Sequence, residues 1–215
     1  MKIAKLEPSK QVAERWLVWL DDGSLLRITE NEVVAFALYQ GMELTDETYD
    51  ALEEKARRST VRGKALELIA AKPMSRKELV EKLTTQPQSR GKAPLADEEL
   101  ATETADWLEE LGYLNDAEYA KQVARHYSAK GYGERKVRDE LFRRGVPRQF
   151  WDQALFEAQE PEEGIDSFLQ KRFRGQAPDQ KELKRAADAL ARRGYRWGEI
   201  REGLNRYGAG IMEEE

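Results

Sequence analysis

Catalysis needs a nucleophile, a titrating pair or a metal cage, and this sequence is nearly empty of the residues that build them. There is no cysteine, which excludes thiolate nucleophiles, disulfides and thiolate metal sites. His126 is the sole histidine, so an imidazole metal cage or a Ser-His-Asp relay has no basis. Lys64, in Arg62-Gly63-Lys64-Ala65, lacks the glycine-rich run and the preceding strand of a phosphate-binding loop. Glu98-Glu99 and Glu109-Glu110 fall at helix-surface spacing and read as solvated faces, not as an acid–base pair. No catalytic residue, metal ligand or cofactor is expected.

What the sequence does hold is positive charge. Segment 130–148 carries seven basic side chains against three acidic ones: Lys130, Arg135, Lys136, Arg138, Arg143, Arg144 and Arg148. A second cluster includes Lys171, Arg172, Arg192, Arg193 and Arg196. Arginine forks bond phosphate or carboxylate bidentately, and both cation types neutralise a polyanion. The net charge is −5, so any docking on a polyanion depends on where these charges sit. Tyr132 lies in the turn between helices, where an aromatic ring either stacks on a base or seals the junction.

These side chains need elements to hold them. Trp16–Leu20 and Leu25–Ile28 are β-compatible runs flanking Asp22-Gly23, a pair suited to a tight hairpin turn. Lys2–Leu6 is a candidate third strand, and so small a sheet needs a covering helix. Thr29 and Glu32 form a capping box for a helix ending before Gly41, with Val33, Val34, Ala37 and Leu38 inward. Thr45 opens a longer pattern through Tyr49, Leu52 and Ala56, continued by Ala65, Leu66 and Ile69. Gly63 marks a junction between a small α+β domain over 1–60 and an all-helical remainder.

In that remainder, Ser75 and Glu78 form another capping box, and residues 86–94 read as a mobile loop rich in Pro, Gly and Ser. Leu100, Ala101, Thr104, Trp107, Leu108 and Leu111 keep helical spacing up to Gly112. Asn115 and Glu118 cap the next helix, whose His126 reads as a partly buried structural residue. Gly133 opens the basic helix with Val137 and Leu141 inward, and Gly145-Val146-Pro147 closes it. Trp151 and Ala154 lie in the following helix. Pro161 suits the first turn of another, striped by Ile165, Phe168, Leu169 and Phe173. Residues 179–193 are helical again, and a last helix around Ile200 and Leu204 frays at Gly208–Gly210 into an acidic tail, 211–215.

Three segments align without gaps: Ala71–Leu83, Ala129–Leu141 and Arg192–Leu204. Leu79, Val137 and Ile200 match as inward positions, as do Leu83, Leu141 and Leu204. Lys72, Lys130 and Arg193 match in the turn. Self-similarity of this kind predicts tandem three-helix repeats over 61–114, 115–160 and 161–210, each burying its apolar face partly on a neighbour. The fold expected is mainly α, an elongated array of three such repeats behind a small α+β domain with a β-hairpin.

On Leu111–Ala120 (LGYLNDAEYA), Lys130–Val146 (KGYGERKVRDELFRRGV) and Arg192–Ile200 (RRGYRWGEI), the chain resembles the RecX family of regulatory proteins over 61 to about 207. The resemblance implies a non-enzymatic regulator of the RecA recombinase. Such proteins lie in the groove of the RecA–single-stranded DNA filament and restrain its ATPase, strand exchange and coprotease activities. The implied contacts with RecA or DNA are Lys130, Tyr132, Arg135, Lys136, Arg138, Arg143, Arg144, Arg148, Arg172, Arg192, Arg193 and Arg196. The implied partners are the filament and single-stranded DNA, touched directly or through the filament. A cytoplasmic monomer without membrane association is expected. The competing reading is a helix-turn-helix transcription regulator, which would need a dimer and base-reading residues.

Overall fold

A computed structural model describes residues 1–11, 15–85, 93–158 and 160–214. The loop expected over 86–94 lies outside the described residues except for its last two positions. The chain divides into two compact units: Met1–Lys72 with Leu79–Tyr113 (unit 1), and Pro73–Glu78 with Leu114–Glu215 (unit 2).

Unit 1 opens with three antiparallel strands in the order β1 (Ile3–Pro8), β2 (Arg15–Leu20) and β3 (Leu25–Thr29). Gly23 turns the hairpin at φ 85°, and Val18 pairs with Leu26 and Trp16 with Ile28 across it. Period-two alternation puts Val18, Leu20, Leu26 and Ile28 on one face, buried with Ile3, Leu38, Leu44, Leu52 and Ala56. The covering helix is α2 (Asp46–Ala71), which packs on β3.

Helix α1 (Glu30–Ala35) is shorter than its spacing suggests. Glu32 does accept from the Thr29 amide at 2.7 Å, but Ala37 turns to φ 48° and ends the helix, leaving Val34 73% exposed. Only Leu38 of the last apolar pair is buried.

Helix α2 runs unbroken through Thr60–Gly63, where the sequence suggests a junction. Gly63 is exposed with open space where a side chain would stand, and an isolated helical glycine costs only about 1 kcal/mol. Val61 and Ala65 are buried, whereas Leu66 is exposed. Helix α3 (Arg76–Thr84) buries Leu79 and Leu83. Helix α4 (Glu98–Glu110) packs on α2 and buries Leu100, Ala101, Thr104, Ala105 and Leu108. Leu111, just past its end, is 51% exposed instead of inward.

Unit 2 holds six further helices among the described residues: α5 (Asp116–Ala129), α6 (Glu134–Arg143), α7 (Trp151–Phe156), α8 (Pro161–Phe173), α9 (Gln180–Arg192) and α10 (Trp197–Glu214). Helix α5 packs on α6, α7 and α8, and α10 packs on α8 and α9. One cluster gathers Val123, Val137, Leu141, Val146, Trp151 and Ala154, and a second gathers Ile165, Leu169, Phe173, Ala186, Leu190 and Ile200. Full burial of each such large side chain contributes about 1.5–3 kcal/mol. Helix α10 continues through Gly208–Gly210 to Glu214, so the fraying expected there is absent from the backbone. No described helix is long and apolar enough to cross a membrane.

The three repeat-equivalent positions that begin α3, α6 and α10 are capped differently. Ser75 Oγ accepts from the Glu78 amide at 3.0 Å and Glu78 reaches back to the Ser75 amide at 3.1 Å, a complete box. Arg196 offers only its amide, which donates to Glu199 at 2.8 Å. Gly133 has no side chain to offer. The amides of Gly133 and Arg135 instead donate to the carbonyls of Arg193 (2.9 Å) and Gly194 (3.1 Å), in the turn between α9 and α10. Gly194 itself has φ 92°, and a Cβ there would meet the Lys136 amide nitrogen at 2.5 Å. Only glycine fits that approach.

Candidate functional site

The basic helix α6 buries Val137 and Leu141 and turns the cations Arg135, Lys136, Arg138 and Arg143 largely outward, as its spacing predicts, while Glu140 is buried with the apolar pair. The charges are largely spoken for. Glu140, 7% exposed, lies within 3.1 Å of Lys136 Nζ and 2.6 Å of Arg143 Nη2. Glu134 accepts from Arg138 Nε at 2.7 Å and from Arg196 Nη2 at 2.7 Å, and Asp152 takes the other end of Arg138 at 3.1 Å. Burial by itself would raise the Glu140 pKa, but the hydrogen bonds from Arg143 and Lys136 prevail and hold it at about 2.

Arg144 is drawn inward. Its Nη1 donates to Tyr119 Oη at 2.7 Å, and Tyr119 in turn donates to Glu78 at 2.9 Å. Ser75 Oγ donates to the Arg144 carbonyl, and Asp116 accepts from the Arg76 amide at 2.8 Å. Burial, then the bond to Glu78, pushes the Tyr119 phenol up to about 12, so it stays protonated as the donor. This network holds the 73–78 turn on α5 and the end of α6, and that is a structural role.

Lys130, Arg135, Arg148, Arg172, Arg192 and Arg193 make no ion pair among the described residues. All but Arg193 are exposed, and Arg148 and Arg172 lie 5.8 and 5.9 Å from the ring centroids of Trp151 and Phe173. Arg193 is half-buried, its guanidinium 4.8 Å from the Phe168 ring centroid and 6.0 Å from that of Tyr132. Tyr132 is half-buried beside Tyr127, at 5.8 Å between centroids, which is a packing role for its ring. His126 is exposed, with its ring edge-on to Tyr127 at 5.3 Å, and not partly buried as its helical position suggests.

The residues overlooked in the sequence are therefore the counter-charges Glu134, Glu140 and Glu78. Their signal is there: Lys136–Glu140 and Glu134–Arg138 stand four apart and Glu140–Arg143 three apart, the spacings at which helical side chains meet. No group of His, Asp or Glu among the described residues has the geometry of a metal site.

A small antiparallel sheet followed by packed helices that present charge on their surface defines a mainly helical class of protein. The family model described as "RecX, second three-helix domain" matches residues 115–155, which hold α5, α6 and most of α7. A protein named regulatory protein RecX from Pseudomonas putida is 35% identical over 137 residues, covering 63% of this chain and 83% of that relative. Another of that name from Streptococcus gordonii is 25% identical over 204 residues, covering 94% of this chain and 75% of the relative. The crystal structure of a regulatory protein RecX superposes with a TM-score of 0.70 at 20% identity, covering 95% of this chain and 98% of the other. That of RecX from Lactobacillus salivarius gives 0.59 at 18%, covering 70% and 96%, so both support the fold. This chain belongs to the RecX family of regulatory proteins.

Proposed function

We propose that this protein restrains RecA by binding the RecA–single-stranded DNA filament in its helical groove, lowering ATPase, strand exchange and coprotease activity. Family membership supports the regulatory role. The observation that carries the contact is the set of exposed cations without a carboxylate partner among the described residues, Lys130, Arg135, Arg148, Arg172 and Arg192, with the half-buried Arg193 lining one cleft together with Lys130 and Arg172. Cations already bonded to a neighbouring carboxylate gain little from a polyanion, because their charge is neutralised before it arrives. Lys136, Arg138, Arg143, Arg144 and Arg196 thus shape the surface more than they bind. The same neutralisation weighs against α6 as a recognition helix reading duplex bases.

In this reading the protein acts as a cytoplasmic monomer built of three tandem modules, without enzymatic activity of its own. The test is a titration of single-stranded-DNA-dependent ATP hydrolysis by RecA. Suppression at substoichiometric amounts of this protein is expected, and an unchanged rate would sink the proposal.

A further inference from the structure

A cleft of about 450 Å³ opens in unit 2 between the end of α5, one face of α8 and the turn after α9. Its walls carry Lys130, Lys171, Arg172 and Arg193, and no aspartate or glutamate lines it. None of the four cations has an ion-pair partner among the described residues. Like charges gathered around one concavity raise its positive potential and favour an anion there.

Arg193 is the fixed member. Its Nη1 donates to the Gly131 carbonyl at 3.3 Å, and its guanidinium lies 4.8 Å from the Phe168 ring centroid and 6.0 Å from that of Tyr132. These partners are neutral, so they orient the guanidinium without cancelling its charge and leave it N–H groups to donate. Gly131 has φ 74°, and a Cβ there would come within 3.1 Å of Nη1, so glycine keeps the approach open. Lys130, Lys171 and Arg172 are exposed, so they can turn toward a bound anion without repacking the core.

A single carboxylate needs one such partner. Several cations around a nucleotide-sized space match a ligand with two or more negative charges close together. We propose that this cleft is a phosphate-binding site, anchored by Arg193, for either successive phosphodiesters of a nucleic-acid strand or the polyphosphate of a free nucleotide. The inference rests on the polyanion-facing reading of unit 2 given above, but it can be tested without RecA.

The full-length protein is titrated with a fluorescent oligo-dT by anisotropy, and with sodium pyrophosphate and ATP by calorimetry. Lys130→Ala/Lys171→Ala/Arg172→Ala is expected to weaken whichever ligand binds by at least about tenfold at low salt and to flatten the strand's salt dependence by about 0.7 per lost contact. Arg57→Ala/Arg58→Ala/Arg125→Ala removes the same charge from positions paired with Asp97, Glu54, Glu103 and Glu157, and should stay within about twofold. Circular dichroism checks that both variants fold. Loss of strand binding alone assigns the phosphodiester source, and loss of pyrophosphate or ATP binding assigns the free polyphosphate. No binding of any probe, or equal loss in the two variants, overturns the proposal. Failure of the wild-type protein to inhibit RecA would count against the filament reading alone and leave the cleft standing.

Discussion

Helix α6 and the cleft beside α8 are both basic in sequence, and they differ in what their charge is free to do. On α6, Lys136, Arg138 and Arg143 are bonded to Glu140, Glu134 and Asp152. Around the cleft, Lys130, Lys171 and Arg172 have no carboxylate partner among the described residues, and Arg193 leans on aromatic rings and a carbonyl. The helix that reads as basic in sequence is thus the more self-neutralised of the two. The number of cations in a segment says less about polyanion binding than the number left without a partner.

The largest expected effect removes the support shared by both regions. Gly194→Ala puts a side chain at φ 92° and drives it toward the Lys136 amide. It should cost about 2–4 kcal/mol in urea unfolding, from backbone strain plus overpacking, and should lower phosphate binding with it. A variant of wild-type stability would show that the turn adjusts independently of α6.

Next comes the counter-charge. Glu140→Gln leaves Lys136 and Arg143 without their acceptor and should destabilise by about 1–2 kcal/mol, reduced from a fully buried pair by solvent screening. It should also strengthen oligo-dT binding several-fold, because cations neutralised in the native protein are released. Unchanged binding would mean that α6 faces away from the strand.

The pH dependence follows from the same group. The folded pKa of Glu140, about 2, is below its ordinary 4.5, so the stability it adds is fully present above about pH 4.5 and is lost as pH falls toward 2. Comparing acid unfolding of the wild type with Glu140→Gln isolates this part, and the two curves should converge at the acid end. The smallest effect is expected from Arg143→Ala, whose charge is already met by Glu140. Strand binding should change by less than about twofold, and a larger loss would erase the contrast between the two regions.

Local rules carried much of this fold. Asp22-Gly23 between apolar runs gives the hairpin, Ser75 and Glu78 make their capping box, and Asn115 accepts from the Glu118 amide at 3.0 Å. Tertiary context decided the rest. Val34, Leu66 and Leu111 have the right spacing for a core yet stand exposed, because spacing marks a face without saying whether anything covers it. The candidate site was legible as a list of cations and illegible as a surface. Glu140 cancels part of that list over helical spacings that can be read in the sequence. The convergence of Lys130, Lys171, Arg172 and Arg193 spans a distance along the chain that no local pattern encodes.

The unusual cap of α6 has a consequence for how unit 2 unfolds. The amides of Gly133 and Arg135 are held by the carbonyls of Arg193 and Gly194, about sixty residues downstream, so α6 starts cleanly only while that turn is in place. Modules of a repeat protein are often treated as separable blocks whose stabilities add. Here α6 is completed by backbone from the turn between α9 and α10, so helix and turn should open as one cooperative unit. In native-state hydrogen exchange, the Gly133 and Arg135 amides should exchange with the free energy of losing the α9–α10 turn. A chain cut before residue 190 would expose them even with α5 and α6 otherwise intact.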